Sequence, residues 1–449
     1  MVNRIVYLLA IAVLMTSRLS VPAQQNGAEP AEVLTLDEAI SIALRDSRPI
    51  KNAQLSVSKA GDEVAAARTL RLPSMHVYSL LSQQLVKLDT SLDNSETNVV
   101  PGVGPIFSIG TGRRPTAIFA GQILQPLSQQ YRIRLEIKQA GLAREAEGEK
   151  LRQAEQTTVN QVKQNYYGIL QTQSALDSLR EAIRYYRELD RVTVENVTQQ
   201  VSLKADSLEV KTRLAKAEYE ALDLTNQLAT EKEQLNNLLG RDVRTGFRVA
   251  AIPDAVGIDA DLVLARSRAL DQRPELREAR LKVSQAEVDR RIKKSEYIPD
   301  VSVGFTYLSF QNFNNEAIPK NSASLGVVMK WEAFDWGRKK NQLAEKDRTI
   351  EQARNVLHEA ESLVLIEVGD KFRKLQQTRQ ALIVAQLKQE TARENMRVSV
   401  NKYKLQAALL SDTLQTQATL ADADYEYQKA LLAFWTAKAE YEKSIGADK

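Results

Sequence analysis

The chain has 449 residues, 43% hydrophobic and 26% charged, which suits a folded protein with a large core rather than a disordered one. Its formal net charge of +4 is too small to bind a polyanion such as nucleic acid through bulk charge. Cysteine is absent, so there is no disulfide framework, no thiol chemistry and no side chain for N-terminal lipid attachment.

Residues 1–23 read as a signal peptide. Arg4 supplies the positive n-region, Ile5 to Met15 an apolar h-region, and Val21-Pro22-Ala23 small residues at a cleavage site. As a helix that apolar run would span only about 16 Å, half a bilayer core, so a transmembrane anchor fits poorly. After a linker, 24–33, "TLDE" forms a capping box from Thr35 to Glu38 and opens a medium helix ended by Pro73. Strands are expected at about 76–87 and 117–127, around a polar loop, 89–116. Its "PGVGP", Pro101 to Pro105, lacks the Lys and following helix of a phosphate-binding loop.

A long helical stretch follows, Arg132 to Leu239, interrupted near 198–207. Val162, Ile169, Leu176 and Ile183 fall seven apart, as do Leu214, Ala221, Leu228 and Leu235, which is coiled-coil spacing. The first arm would be roughly 100 Å long, more than any compact domain needs.

The plan then recurs. "RVTVENVTQQVSLKADSL" from Arg191 resembles "RVSVNKYKLQAALLSDTL" from Arg397, and Gly240 matches Gly446 at the same offset. "RPIKNAQLSVSKA" from Arg48 likewise resembles "RPELREARLKVSQA" from Arg273. Two tandem copies are therefore expected, 34–250 and 258–446, joined by a linker, 251–257, and followed by a short tail, 447–449. In the second copy strands fall at about 300–311 and 322–334, and the long stretch Arg338 to Ile445 breaks near 404–413.

In "VSVGFTYLSF", Val301, Val303, Phe305 and Tyr307 share one face, and Ser302, Gly304 and Thr306 the other. In "SLGVVMKW", Leu325, Val327, Met329 and Trp331 oppose Ser324, Gly326 and Lys330. This alternation fits a lipid-facing barrel around water, and equally a soluble sandwich with one buried face. In the first copy the face assignment is ambiguous. Phe310, Trp331, Phe334 and Trp336 are candidates for an interfacial girdle. No stretch after the signal approaches 18 apolar residues, so membrane residence would rest on strands. Four strands cannot close a barrel in lipid, where the smallest need about eight, so several chains would have to pool theirs.

Together these features resemble the TolC family of outer-membrane efflux proteins, over essentially the whole chain after the signal. The motifs carrying the resemblance are "LTLDEAISIAL", "RPELREARLKVSQAEV", "AFDWGRKKNQ" and "YKLQAALLSDTLQTQATLADADYEY". The resemblance implies a mainly α chain with a small β part that forms a homotrimer in the cell outer membrane. Its long antiparallel helices would form an α-helical barrel in the periplasm, and its four strands per chain one twelve-stranded β-barrel. It further implies a passive exit duct for a tripartite efflux pump or type I secretion system. The partners would be a periplasmic adaptor, an inner-membrane pump reached through it, and outer-membrane lipid.

The resemblance also assigns residues. Val201, Ser202 and Leu203, with Ala408 and Leu409, fall at adaptor-docking tips; Tyr403, Asp412 and Asp206 fall at a periplasmic constriction. Ala408 and Gln415 stand where some members carry an arginine and a second acid, so their salt-bridged latch and double acidic ring are in doubt here. A second reading makes Asp206 and Asp412 N-caps that restart a helix.

Other chemistry finds little footing. His76 and His358 lack any HxxH partner, no acid pair stands out as catalytic, and no cofactor motif appears. Tyr166 and Tyr185, each in a "YY" pair, fit helix packing. The alternative function is a periplasmic coiled-coil adaptor or scaffold without a channel.

Overall fold

The computed structural model describes residues 32–83, 89–91, 108–110, 115–200, 203–252, 261–312, 319–405 and 407–447. The signal peptide, "PGVGP", most of loop 89–116, most of both linkers, and Val201 and Ser202 lie outside the described residues.

The described part begins with β1 (Glu32–Leu34) and two helices, α1 (Leu36–Asp46) and α2 (Arg48–Thr69). The capping box at the start of α1 is complete: Thr35 N–H donates to the Glu38 carboxylate at 2.9 Å, and Glu38 N–H to Thr35 Oγ1 at 3.3 Å. The single helix read from the sequence is broken at Ser47, which is extended at ψ 132. Pro49, just inside α2, has no N–H with which to continue the ladder.

Strand β2 (Ser74–Ser82), a short pair β3 (Asp89–Ser91) and β4 (Ser108–Gly110), and β5 (Thr116–Pro126) follow. Next come a 69-residue helix, α3 (Gln130–Thr198), and α4 (Lys204–Leu238). Strand β6 (Phe247–Val249), which the sequence did not suggest, pairs in parallel with β1. The same order then recurs: α5 (Leu262–Gln272), α6 (Pro274–Ser295), β7 (Asp300–Gln311), β8 (Asn321–Lys330), a 67-residue α7 (Arg338–Lys404) and α8 (Leu410–Ser444). Residues 331–334, expected in a strand, lie beyond β8. At 1.5 Å per residue α3 and α7 are each about 100 Å long.

The helices pack as a row, α4 on α3, α3 on α8 and α8 on α7. The heptad positions Val162, Ile169, Leu176 and Ile183 are all buried. Val162 and Ile169 join Tyr166, Leu235, Val368 and Phe434 in a core at mid-height, where α1 and α5 brace the long helices. Tyr166 and Tyr167 are buried there. The Tyr166 hydroxyl reaches the carbonyls of Leu34 at 3.0 Å and Ala250 at 2.7 Å and ties down the β1–β6 ladder. Each long hairpin ends on a left-handed glycine, Gly240 at φ +73 and Gly446 at φ +78. Gly240 rests against the break after Asp46, and Gly446 against the matching break at Gln272–Arg273.

Candidate functional site: the open sheet and the helical tips

The four main strands form one antiparallel sheet in the order β2–β5–β7–β8. Directly opposed residues point to the same side of a sheet, so the register assigns faces in both halves. Met75 opposes Ile123, which opposes Phe305, which opposes Leu325; Val303 opposes Val327 and Val301 opposes Met329. All odd-numbered positions therefore share one face, dominated by large apolar side chains. Ser74, His76, Gln122, Ser302, Gly304, Thr306, Ser324 and Lys330 fall on the even face, with Leu80, Ile118, Leu124 and Val328 among them. This settles the ambiguous first copy, whose even face is itself partly apolar.

Among the described residues no helix packs across this sheet. Val77 and Leu325 remain 76% and 77% exposed. The soluble sandwich, the alternative open at the sequence level, requires a covering layer that none of the described residues supplies. Among the described residues the outer strands β2 and β8 each keep one unpaired edge.

The sheet is bolted to the helices at its base. Ser128 Oγ donates to Pro299 O at 2.6 Å and accepts from Val301 N–H at 2.7 Å; Arg132 pairs with Asp300 at 3.2 Å. The amides of Gln125 and Gln130 both donate to Arg71 O. In the turn into α7, Asp335 accepts from the N–H groups of Gly337 and Lys339 at 3.1 and 2.9 Å.

The four girdle residues do not form one belt. Trp331, Phe334 and Trp336 are exposed at the helical end, where Phe334 and Trp336 meet edge to face at 4.8 Å. Phe310 lies near the opposite end of β7 and, paired with Ile118, on the even face rather than the apolar one. Eleven residues, from Lys320 beside Phe310 to Trp331, or about 36 Å along the strand, separate the two ends. That is about the length a tilted strand needs to cross a bilayer core.

At the far end of the helices the two hairpin tips share one construction. Leu203 and Leu409 are the extended residues before α4 and α8. Asp206 and Asp412 are thus the third residues of those helices and not their N-caps, a correction to the capping reading. Asp206 still serves the helix start, since its carboxylate accepts from Leu203 N–H at 3.2 Å. A carboxylate in a first turn also meets the positive end of the helix dipole. Asp412 is exposed and Asp206 half-buried. Leu203, Leu405 and Leu409 are exposed, and Ala408 is half-buried.

Just above the tips Leu189, Val210 and Leu414 bury one another and join α3, α4 and α8. Tyr185 packs there, and Tyr403 is its electrostatic neighbour; burial pushes the Tyr185 hydroxyl pKa up to about 12. The sequence reading missed this cluster, although Leu189 and Val210 flank the break within one helical hairpin.

It also passed over apolar residues on the outer helices of the row. Val356, Leu363, Val384 and Val398 on α7 are exposed and separated by multiples of seven, as are Leu208 and Leu222 on α4. Their heptad spacing was the available signal.

Residues 39–241 and 265–447 match the outer membrane efflux protein family. The chain belongs to that family. Like its relatives, this efflux protein is an outer-membrane protein. Its fold resembles VceC, an outer membrane protein of Vibrio cholerae (TM-score 0.72, 14% identity, 92% of this chain and 96% of that one). It also resembles the CmeC outer membrane channel of Campylobacter jejuni (0.73, 13%, 92% and 86%). A Pseudomonas aeruginosa membrane protein gives 0.76 at 15% identity, over 93% and 91% of the two chains. An uncharacterised Haemophilus influenzae protein is 20% identical over 204 residues, 43% of this chain and 44% of that relative, so this match spans less than half of its length.

Proposed function

We propose that this efflux protein is the exit duct of a tripartite efflux pump or type I secretion system, working as a homotrimer. One observation carries the reading: a single-layer sheet, apolar on one face and unpaired at both edges, stands on helices about 100 Å long. In lipid such edges are prohibitively costly, and joining β8 of one chain to β2 of the next removes them. Three chains give twelve strands, the number implied by the resemblance to TolC. The unpartnered heptad stripes on α4 and α7 lie on the matching edges of the helical row, so the same rotation extends that row into a tunnel. The recurring order of elements supports tandem copies at 34–250 and 258–446.

The tips are the adaptor-facing end. Val201, Ser202, Leu203, Ala408 and Leu409 form the docking surface, and the pump is reached through the adaptor. Asp412 and Tyr403 of the second hairpin, with Asp206 of the first, line the constriction. Three Asp412 carboxylates around one axis hold cations and repel anions, because like charges brought close in a narrow opening are costly.

Purified protein in a planar bilayer should give discrete, ohmic, cation-preferring channels. Asp412→Ala should raise conductance or weaken that preference. A water-soluble monomer that never conducts contradicts the duct; unchanged conductance and selectivity in the variant contradict only the ring.

A further inference from the structure

Four ten-residue segments border the sheet on its helical side: 64–73, 127–136, 290–299 and 331–340. Together they hold eleven Lys and Arg against four Asp and Glu, a larger excess than the +4 of the entire chain. The remainder of the protein is therefore net acidic, and its positive charge is gathered into this rim.

Five of the eleven are engaged within the chain. Arg132 pairs with Asp300 at 3.2 Å, Lys293 with Glu296 at 2.9 Å, Arg290 with Asp347 and Arg338 with Glu332. Lys339 is buried and donates to Glu332 O at 3.1 Å. The other six, Arg68, Arg71, Arg134, Arg291, Lys294 and Lys340, are exposed, and among the described residues nothing holds their charged ends. Beside them Leu70, Leu72, Tyr131, Tyr297, Trp331 and Trp336 are also exposed, the last at 89%.

We propose that this rim binds the anionic phospholipid headgroups of the periplasm-side leaflet, an inference that rests on the outer-membrane reading above. Neither component alone requires lipid. A wall facing water has a use for the cations but none for so many large apolar side chains. A protein contact would cover the apolar groups but leave six cations desolvated and unpaired, which is expensive. A headgroup layer serves both, with aromatic rings at the depth of the ester groups and Lys and Arg stems reaching out to phosphodiesters. The height also fits, since the sheet is about 30 Å long and its base falls where the hydrocarbon ends.

The chain supplies its own reporters. Of three tryptophans, Trp331 and Trp336 stand exposed on the rim, and Trp435 is buried at 8% exposure. The full-length protein would be reconstituted into phosphatidylcholine vesicles containing a minor fraction of either chain-brominated phosphatidylglycerol or chain-brominated phosphatidylcholine. Tryptophan fluorescence would then be measured. The phosphatidylglycerol should quench about fivefold more effectively, the enrichment one interfacial cation provides. That preference should fade at high salt and in the combined variant R68Q, R71Q, R134Q, R291Q, K294Q, K340Q. Equal quenching of the wild type by both lipids overturns the proposal. So does a variant that changes the pore's ion selectivity while keeping the quenching ratio, because its cations then line the lumen. Quenching by neither lipid overturns the membrane placement itself.

Discussion

A β-carbon added at Gly240 would lie 2.3 Å from the carbonyl oxygen of Asp46. The end of the first long hairpin is thereby pressed against the break between α1 and α2, and Gly446 repeats the contact at Gln272 and Arg273. Three glycines separate the causes. Gly240→Ala meets both a left-handed φ and a backbone clash, so it should cost about 2–4 kcal/mol. Gly337→Ala, at φ +82 with open space around it, should cost only the conformational part, about 1–2 kcal/mol. Gly326→Ala, with neither problem, should be neutral. Melting temperatures of the detergent-solubilised variants should follow that order; a Gly240→Ala protein as stable as the wild type contradicts the contact.

The sheet register makes a prediction about sidedness. Val327→Arg places a charge on the apolar face near mid-strand and should cost about 2–4 kcal/mol of membrane stability. Ser324→Arg points to the opposite face and should leave assembly intact while altering conductance. Yield of folded protein in the membrane fraction checks the pair, and equal yields would mean the faces are wrongly assigned.

Tyr185 links the tips to pH. Its hydroxyl titrates near 12 in the folded chain against an ordinary 10, chiefly because burial disfavours the anion. The folded state therefore binds this proton more tightly than the unfolded state. Its contribution to stability is complete below pH 10 and drains away as pH rises toward 12. The wild-type melting temperature should fall more steeply over that window than that of Tyr185→Phe. Parallel slopes would remove Tyr185 from the cause.

Much of this architecture is legible in the sequence because it follows from short-range rules. Thr35 with Glu38, the heptads from Val162 to Ile183, and the alternation around Val301 each act over a few residues. What escaped depends on partners distant in the chain. The first-copy strands read ambiguously because Leu80, Ile118 and Leu124 make the even face partly apolar, and only pairing with β7 fixes the register. The β1–β6 ladder joins segments more than 200 residues apart. Two misses were local: Pro49 and Pro274 mark the helix breaks, and Leu203 and Leu409, not the aspartates, occupy the capping positions.

Ring closure between chains can be tested without disturbing the protein, because no native cysteine competes. Cysteines would be placed on the outer strands, at Val77 on β2 and, in separate variants, at Leu325, Val327 or Met329 on β8. Within one chain these strands are three spacings apart, about 14 Å, beyond the reach of a short bis-maleimide. Cross-linking in membranes should give monomer, dimer and trimer bands for at least one variant, and nothing larger. Monomer alone from every variant, or a ladder continuing past three, would contradict a barrel shared by three chains.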